Sequence, residues 1–146
     1  MNNELRIIVA GGREFNNFDR LCKFCDSVIS GYKTKDTIIT IISGNAIGTD
    51  RMGERYAQLR GYNLKIIPAD WFKLGRSAGI IRNKQMAEYA ISDNANGILI
   101  AFWNGASRGT GNMIQIAESY KMDVFIDTCD YKKGEKCENN WYLRVD

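Results

Sequence analysis

The 146-residue chain has no histidine and one proline. Without an imidazole, Ser-His-Asp and Cys-His catalysis and His-ligated metals are excluded, so any proton transfer falls to carboxylates, Lys, Tyr, Cys or water. No apolar run approaches the roughly 18 residues that a membrane helix needs. Met1–Arg6 (MNNELR) lacks the charged-then-apolar pattern of a signal peptide, and a cytoplasmic protein is expected. The net charge of +3 leans towards an anionic partner but is too small to announce nucleic acid. Hydrophobic residues make up 45%, enough to fill the core of one globular domain.

The four cysteines do not form a metal set. Cys22 and Cys25 fall on a segment where Phe18, Leu21, Cys22, Cys25, Val28 and Ile29 recur at helical spacing, which turns both thiols into the core. Cys129 and Cys137 flank a lysine-rich turn, with no second close pair to complete a four-thiolate zinc site.

Organisation centres on Ile38–Tyr56, IITIISGNAIGTDRMGERY. An apolar β-type run leads through a glycine-bearing loop into helical spacing. Backbone N–H groups in such a loop can point outward with no Cβ in the way, as an anion seat requires. Five strands are read, at Arg6–Ala10, Thr37–Ile42 (the run just described), Asn63–Ile67, Gly97–Phe102 and Asp123–Ile126. Helices are expected after Asn16-Asn17 or Asp19 to about Ile29, then with Met52, Tyr56 and Leu59 inward as far as Gly61. Two more run from near Ala78–Arg82 through Met86, Tyr89 and Ala90, and along Met113, Ala117 and Tyr120. Trp141-Tyr142-Leu143 suits an edge strand or a docked segment.

Strands alternating with helices imply a five-stranded, mainly parallel α/β sheet with helices on both faces. Gly11-Gly12-Arg13, Ser43–Asp50 and Trp103–Thr110 all follow strands, so three polar loops gather at the carboxyl edge, where such sheets bind ligands. Arg82 and Asn83 can reach the same cleft.

SGNAIGTDRMGERYA resembles the glycine loop of the SLOG superfamily, which includes LOG-type nucleotide phosphoribohydrolases and the DNA-processing protein A family. GGRE, PADW, AGIIRNKQMAEYA and ILIAFWNGASRGTGNMIQIA extend the resemblance to the YspA-related branch over residues 5–127. The resemblance implies a Rossmann-like domain over 1–128 that binds a nucleotide or nucleotide-derived ligand, with 129–146 as an extension. A sensor or sequestering role for a signalling nucleotide follows by the same analogy. Two alternatives are N-glycosidic hydrolysis of the LOG type and single-stranded DNA binding through Arg51, Arg55, Arg76, Arg82 and Lys84.

The LOG-type arginine corresponds to Arg82, but the glutamate position, counted from Gly109-Thr110, is Met113. A thioether cannot activate water or stabilise an oxocarbenium-like centre. Hydrolysis would therefore need Asp50, Glu54 or Glu14.

Candidate phosphate donors are the amides of Gly11, Gly12, Gly44 to Gly48, Gly109 and Thr110, with the hydroxyls of Ser43, Thr49, Ser107 and Thr110. Arg13, Arg82 and Arg108 are candidate clamps, Asn45 and Asn83 polar contacts, and Trp71 and Trp103 stacking rings. Asp50 suits helix capping or ribose recognition. Nothing requires a cofactor, and a divalent ion is expected only as a companion of a phosphate ligand. Homodimers or higher homo-oligomers are expected partners.

Overall fold

The structure is a computed structural model, described for residues 3–128 and 141–144. Strand β1 (Glu4–Gly11) leads to helix α1 (Phe18–Ser30), β2 (Ile38–Ser43), α2 (Thr49–Arg60) and β3 (Asn63–Ile66). The short helix α3 (Trp71–Leu74) and a 3-10 turn then precede α4 (Ala78–Ile91), β4 (Asn96–Phe102), α5 (Arg108–Ser119), β5 (Asp123–Asp127) and β6 (Trp141–Arg144). Strands β1 to β5 form one parallel sheet in the order β3-β2-β1-β4-β5. Antiparallel β6 adds a sixth strand beyond β5, so of the two placements open to Trp141–Leu143 the chain adopts the edge strand. Cys129 and Cys137 lie outside the described residues.

The central strands are buried on both faces, so they read as continuous apolar runs whose successive residues feed two cores. Ile7 and Val9 of β1 and Ile98, Ile100 and Phe102 of β4 pack beneath α1 and α2. Their neighbours Ile8, Ala10, Leu99 and Ala101 pack beneath α4 and α5. The chain therefore places its first two helices on one face and its later ones on the other. Strand order reverses between β1 and β4, the crevice where doubly wound sheets bind ligands.

Helix limits follow capping chemistry. The Asn17 side chain accepts from the Arg20 amide at the start of α1, and α2 ends at Gly61, which takes the left-handed conformation that lacks a Cβ penalty. Two expectations need correction. Leu59 is exposed rather than inward, because Tyr56 and Ala57 supply the buried face of α2. The stretch after Pro68 is not all loop: the Asp70 side chain accepts from the Lys73 amide and starts α3. Cys22 and Cys25 are both buried in the α1-side core, as the spacing predicts.

Candidate functional site

At the carboxyl edge the first two loops are knitted together. The Gly12 carbonyl accepts from both the amide and the hydroxyl of Thr49, at 3.3 and 2.9 Å. Gly11 has no room for a side chain, since a Cβ there would lie 2.6 Å from the Phe102 carbonyl and from Thr49 Oγ1. Gly48 has φ +92°, and its Cβ would fall 2.5 Å from the Arg13 carbonyl oxygen. The close backbone approach that calls for glycine at 48 is thus to Arg13.

The loop Ser43–Gly48 folds over a buried polar cluster. Ser43 Oγ donates to Glu54 Oε2 at 2.7 Å and accepts from the Asn45 amide at 3.0 Å. Asn45 Nδ2 donates to the same Glu54 oxygen at 2.8 Å. The Ala46 amide donates to Asp50 Oδ2 at 3.2 Å. Amides expected to face an anion, those of Gly12, Asn45 and Ala46, therefore have internal acceptors. Asp50 is also not the cap of α2: the cap position is Gly48, and Asp50 turns its carboxylate back to the loop. Burial pushes the Asp50 carboxyl up to about 6, against the lowering effects of the Ala46 N–H and the Arg82 guanidinium.

Arg82 and Asn83 brace this loop to α5. Arg82 Nη1 donates to the Gly44 carbonyl at 2.6 Å and Nε to Asn83 Oδ1 at 3.0 Å. Asn83 Nδ2 donates to the Gly109 carbonyl at 3.3 Å and to Asn112 Oδ1 at 3.0 Å. Gly44 is the residue that lets the arginine in, because a Cβ there would strike its guanidinium and stand 2.8 Å from Asp50 Oδ2. Burial pulls the Arg82 guanidinium below its ordinary range, and Asp50 opposes that shift.

The loop after β4 is built differently. Asn104 Oδ1 accepts from the amides of Ala106 and Ser107, and Trp103 Nε1 donates to the Ser107 carbonyl at 2.9 Å. These bonds point the first turn of α5 outward. Ser107 gives α5 no side-chain cap bond; its hydroxyl lies 3.3 Å from Thr110 Oγ1. Among the described residues no acceptor meets the amides of Arg108, Gly109 or Thr110, the donors a helix start leaves without intrahelical partners. A Cβ on Gly109 would meet nothing within 4 Å. An adjoining groove of about 440 Å³ runs from Trp103, Ser107 and Arg108 along Gly111, Asn112 and Gln115. Oriented amides, a helix dipole and exposed Arg108 together suit an anionic group.

The remaining expected residues divide. Arg13 and Glu14 are exposed on the first loop. Trp71 is largely exposed, its ring lying against Gly79, while Trp103 is half-buried against Gly111. Met113, the residue at the LOG-type glutamate position, is 1% exposed in the α4–α5 core. The basic residues considered for DNA do not make one patch: Arg55 stacks on Phe18 on the α2 side of the sheet, whereas Lys84 is exposed on α4, on the opposite side.

Sequence reasoning missed Arg20 and Asp127. They form a buried two-point ion pair at 2.6 and 2.7 Å, and the Asp127 carbonyl accepts from the Trp103 amide at 3.0 Å. The available signal was an arginine four residues before Phe24 on the apolar face of α1.

These features define a Rossmann-like α/β domain with its polar loops at the switch point of the sheet. Residues 5–73 match the model of the YspA, cpYpsA-related SLOG family. That match suggests a nucleotide-related function. No curated protein and no solved structure matches the chain. No helix among the described residues is long and apolar enough to cross a membrane.

Proposed function

We propose that the protein binds a nucleotide or nucleotide-derived ligand at the carboxyl edge of the sheet and retains it uncleaved, as a cytoplasmic sensor or sequestering protein for a signalling nucleotide would. The observation that carries this reading is the start of α5. Among the described residues no acceptor meets the amides of Arg108, Gly109 and Thr110, while one turn further on Met113 is packed in the core. Such a seat attracts phosphate and offers no carboxylate from the expected position for attack on the glycosidic carbon. Arg108 is an exposed cation in the same turn, Arg13 is an exposed cation on the first loop, and the rings of Trp71 and Trp103 are available for a base.

One observation favours hydrolysis as the second reading. Asp50, with its carboxyl pushed up to about 6, keeps its proton into mildly acidic conditions, closer to the working range of a general acid than an ordinary carboxyl. Its Oδ2 is engaged by Ala46 beneath the loop, which supports a bracing role instead.

The test is to incubate the purified protein with linear, cyclic and ADP-ribose-type nucleotides and a short single-stranded DNA, then identify retained and altered species by mass spectrometry. Intact nucleotide retained near one per site is expected. Free base appearing with turnover would establish the hydrolase. Retention of DNA alone, lost steeply as salt rises, would overturn both readings.

A further inference from the structure

The chain contains two Asn-Gly pairs, Asn96-Gly97 and Asn104-Gly105, and the fold treats them in opposite ways. Glycine after asparagine leaves the backbone nitrogen uncrowded, so that nitrogen can attack the side-chain carbonyl carbon and close a five-membered ring. At the first pair the backbone is fixed. Asn96 and Gly97 open β4, paired with Leu5 and Arg6 of β1, and a Cβ on buried Gly97 would stand 2.7 Å from the Ala90 carbonyl oxygen. Closing a ring there requires the strand to leave its register. The second pair lies outside any helix or strand, and both residues are exposed. Gly105 takes φ +85°, and a Cβ on it would meet nothing within 4 Å. Among the described residues no acceptor meets the Gly105 amide and no partner meets Asn104 Nδ2. Asn104 Oδ1, by contrast, accepts from the amides of Ala106 at 2.9 Å and Ser107 at 3.0 Å.

We propose that Asn104 is a self-modification site of the folded protein, converting to aspartate and isoaspartate while Asn96 is spared. Hydroxide takes the Gly105 amide proton, and the nitrogen forms a bond to Asn104 Cγ. Charge collects on Oδ1, where the Ala106 and Ser107 amides are already aimed, as the donors of an oxyanion hole are. The Cγ–Nδ2 bond then breaks, and Nδ2 takes a proton from water and leaves as ammonia. A second water opens the succinimide. Its attack at Cγ gives aspartate, and attack at the main-chain carbonyl carbon gives isoaspartate, with the chain continuing through the former side chain. The net change is one water in and one ammonia out, with no oxidant or reductant. Either product sets a carboxylate just ahead of the first turn of α5, where it satisfies the helix dipole from within and opposes an external anion. The ring closure does not depend on the nucleotide reading; only its effect on an external anion rests on it.

The experiment is a time course of the full chain in mildly acidic and mildly alkaline buffer, folded or in guanidinium chloride, read by peptide mapping with mass spectrometry. In the folded protein the mass gain of an amide turned acid is expected at Asn104 alone, faster in the alkaline buffer, with isoaspartate confirmed by enzymatic methylation. In the denatured chain it should appear at Asn96 as well. Asn104→Gln, whose longer side chain closes a six-membered ring less readily, should lose the signal, with circular dichroism to verify its fold. An intact Asn104 in the folded protein, under conditions that convert Asn96 in denaturant, would overturn the proposal. Conversion of Asn96 as fast as Asn104 in the folded protein would do the same. Asn96 left intact in denaturant would show that its sequence rather than the fold spares it, and would overturn the assigned selectivity.

Discussion

The loops after β2 and β4 both deliver a helix start to the same edge of the sheet, yet they are built in opposite ways. After β2 the glycines have no spare room: Gly44 accommodates Arg82 and Asp50, and Gly48 lies against the backbone of Arg13. Three amides there are bonded internally. After β4, Cβ atoms on Gly105 and Gly109 would meet nothing within 4 Å, and no acceptor among the described residues meets the first amides of α5. A glycine in the earlier loop reports chain packed on chain; a glycine in the later one reports open space. The first loop is packed as scaffold, and the second is open at Asn104, Gly105, Ala106, Arg108 and Gly109.

The largest test concerns what holds the open loop in place. Arg20→Leu leaves the fully buried Asp127 without its two-point partner, and loss of one member of a buried pair typically costs about 3–5 kcal/mol. Because Asp127 also receives the Trp103 amide, hydrogen exchange at Trp103 should speed up with the loss. A change below about 1 kcal/mol in denaturant unfolding would mean that the other contacts of Asp127 suffice.

Paired glycine substitutions address the comparison itself. Gly48→Ala combines a left-handed backbone with a steric clash and should cost about 2–4 kcal/mol. Gly109→Ala, in the first turn of α5, should leave stability unchanged or raise it by up to about 1 kcal/mol. Equal costs would erase the distinction between scaffold and surface. Arg82→Ala comes next, at about 1–3 kcal/mol, because the Gly44 carbonyl loses its donor. Nucleotide binding should weaken in parallel by about 1.5–3 kcal/mol, and unchanged affinity would separate the brace from the site.

The architecture was legible because the pattern repeats. Apolar runs ending in glycine-bearing loops occur at β1, β2 and β4, and each marks a strand whose alternate side chains enter opposite cores. The short helix α3 was not legible, since four residues are too few to show a period and only the Asp70 cap signals it. In the site, the gathering of the loops could be read, but the destination of each hydrogen bond could not. Ser43, Asn45 and Asp50 suit ligand contacts by residue type, and only the three-dimensional arrangement turns them towards Glu54 and Ala46. Arg20 and Asp127 lie 107 positions apart, so their pairing exists only after α1 crosses the sheet towards β5.

The pH dependence of stability tests whether the first loop is scaffold, by titrating its acid. Burial raises the Asp50 carboxyl from 3.8 to about 6, so between those values the folded protein holds a proton that the unfolded chain has released. Stability attributable to this group is therefore present at low pH, falls as pH rises through that window, and is level above it. Asparagine at this position keeps an acceptor for the Ala46 amide but cannot ionise. Asp50→Asn should accordingly be more stable than the parent by up to about 3 kcal/mol at pH 7–8, with the gap closing towards pH 4. Denaturant unfolding at a series of pH values gives the curve. A variant less stable than the parent at pH 8 would show that the ionised carboxylate, held by Ala46 and Arg82, stabilises the loop, and that burial is the weaker influence on it.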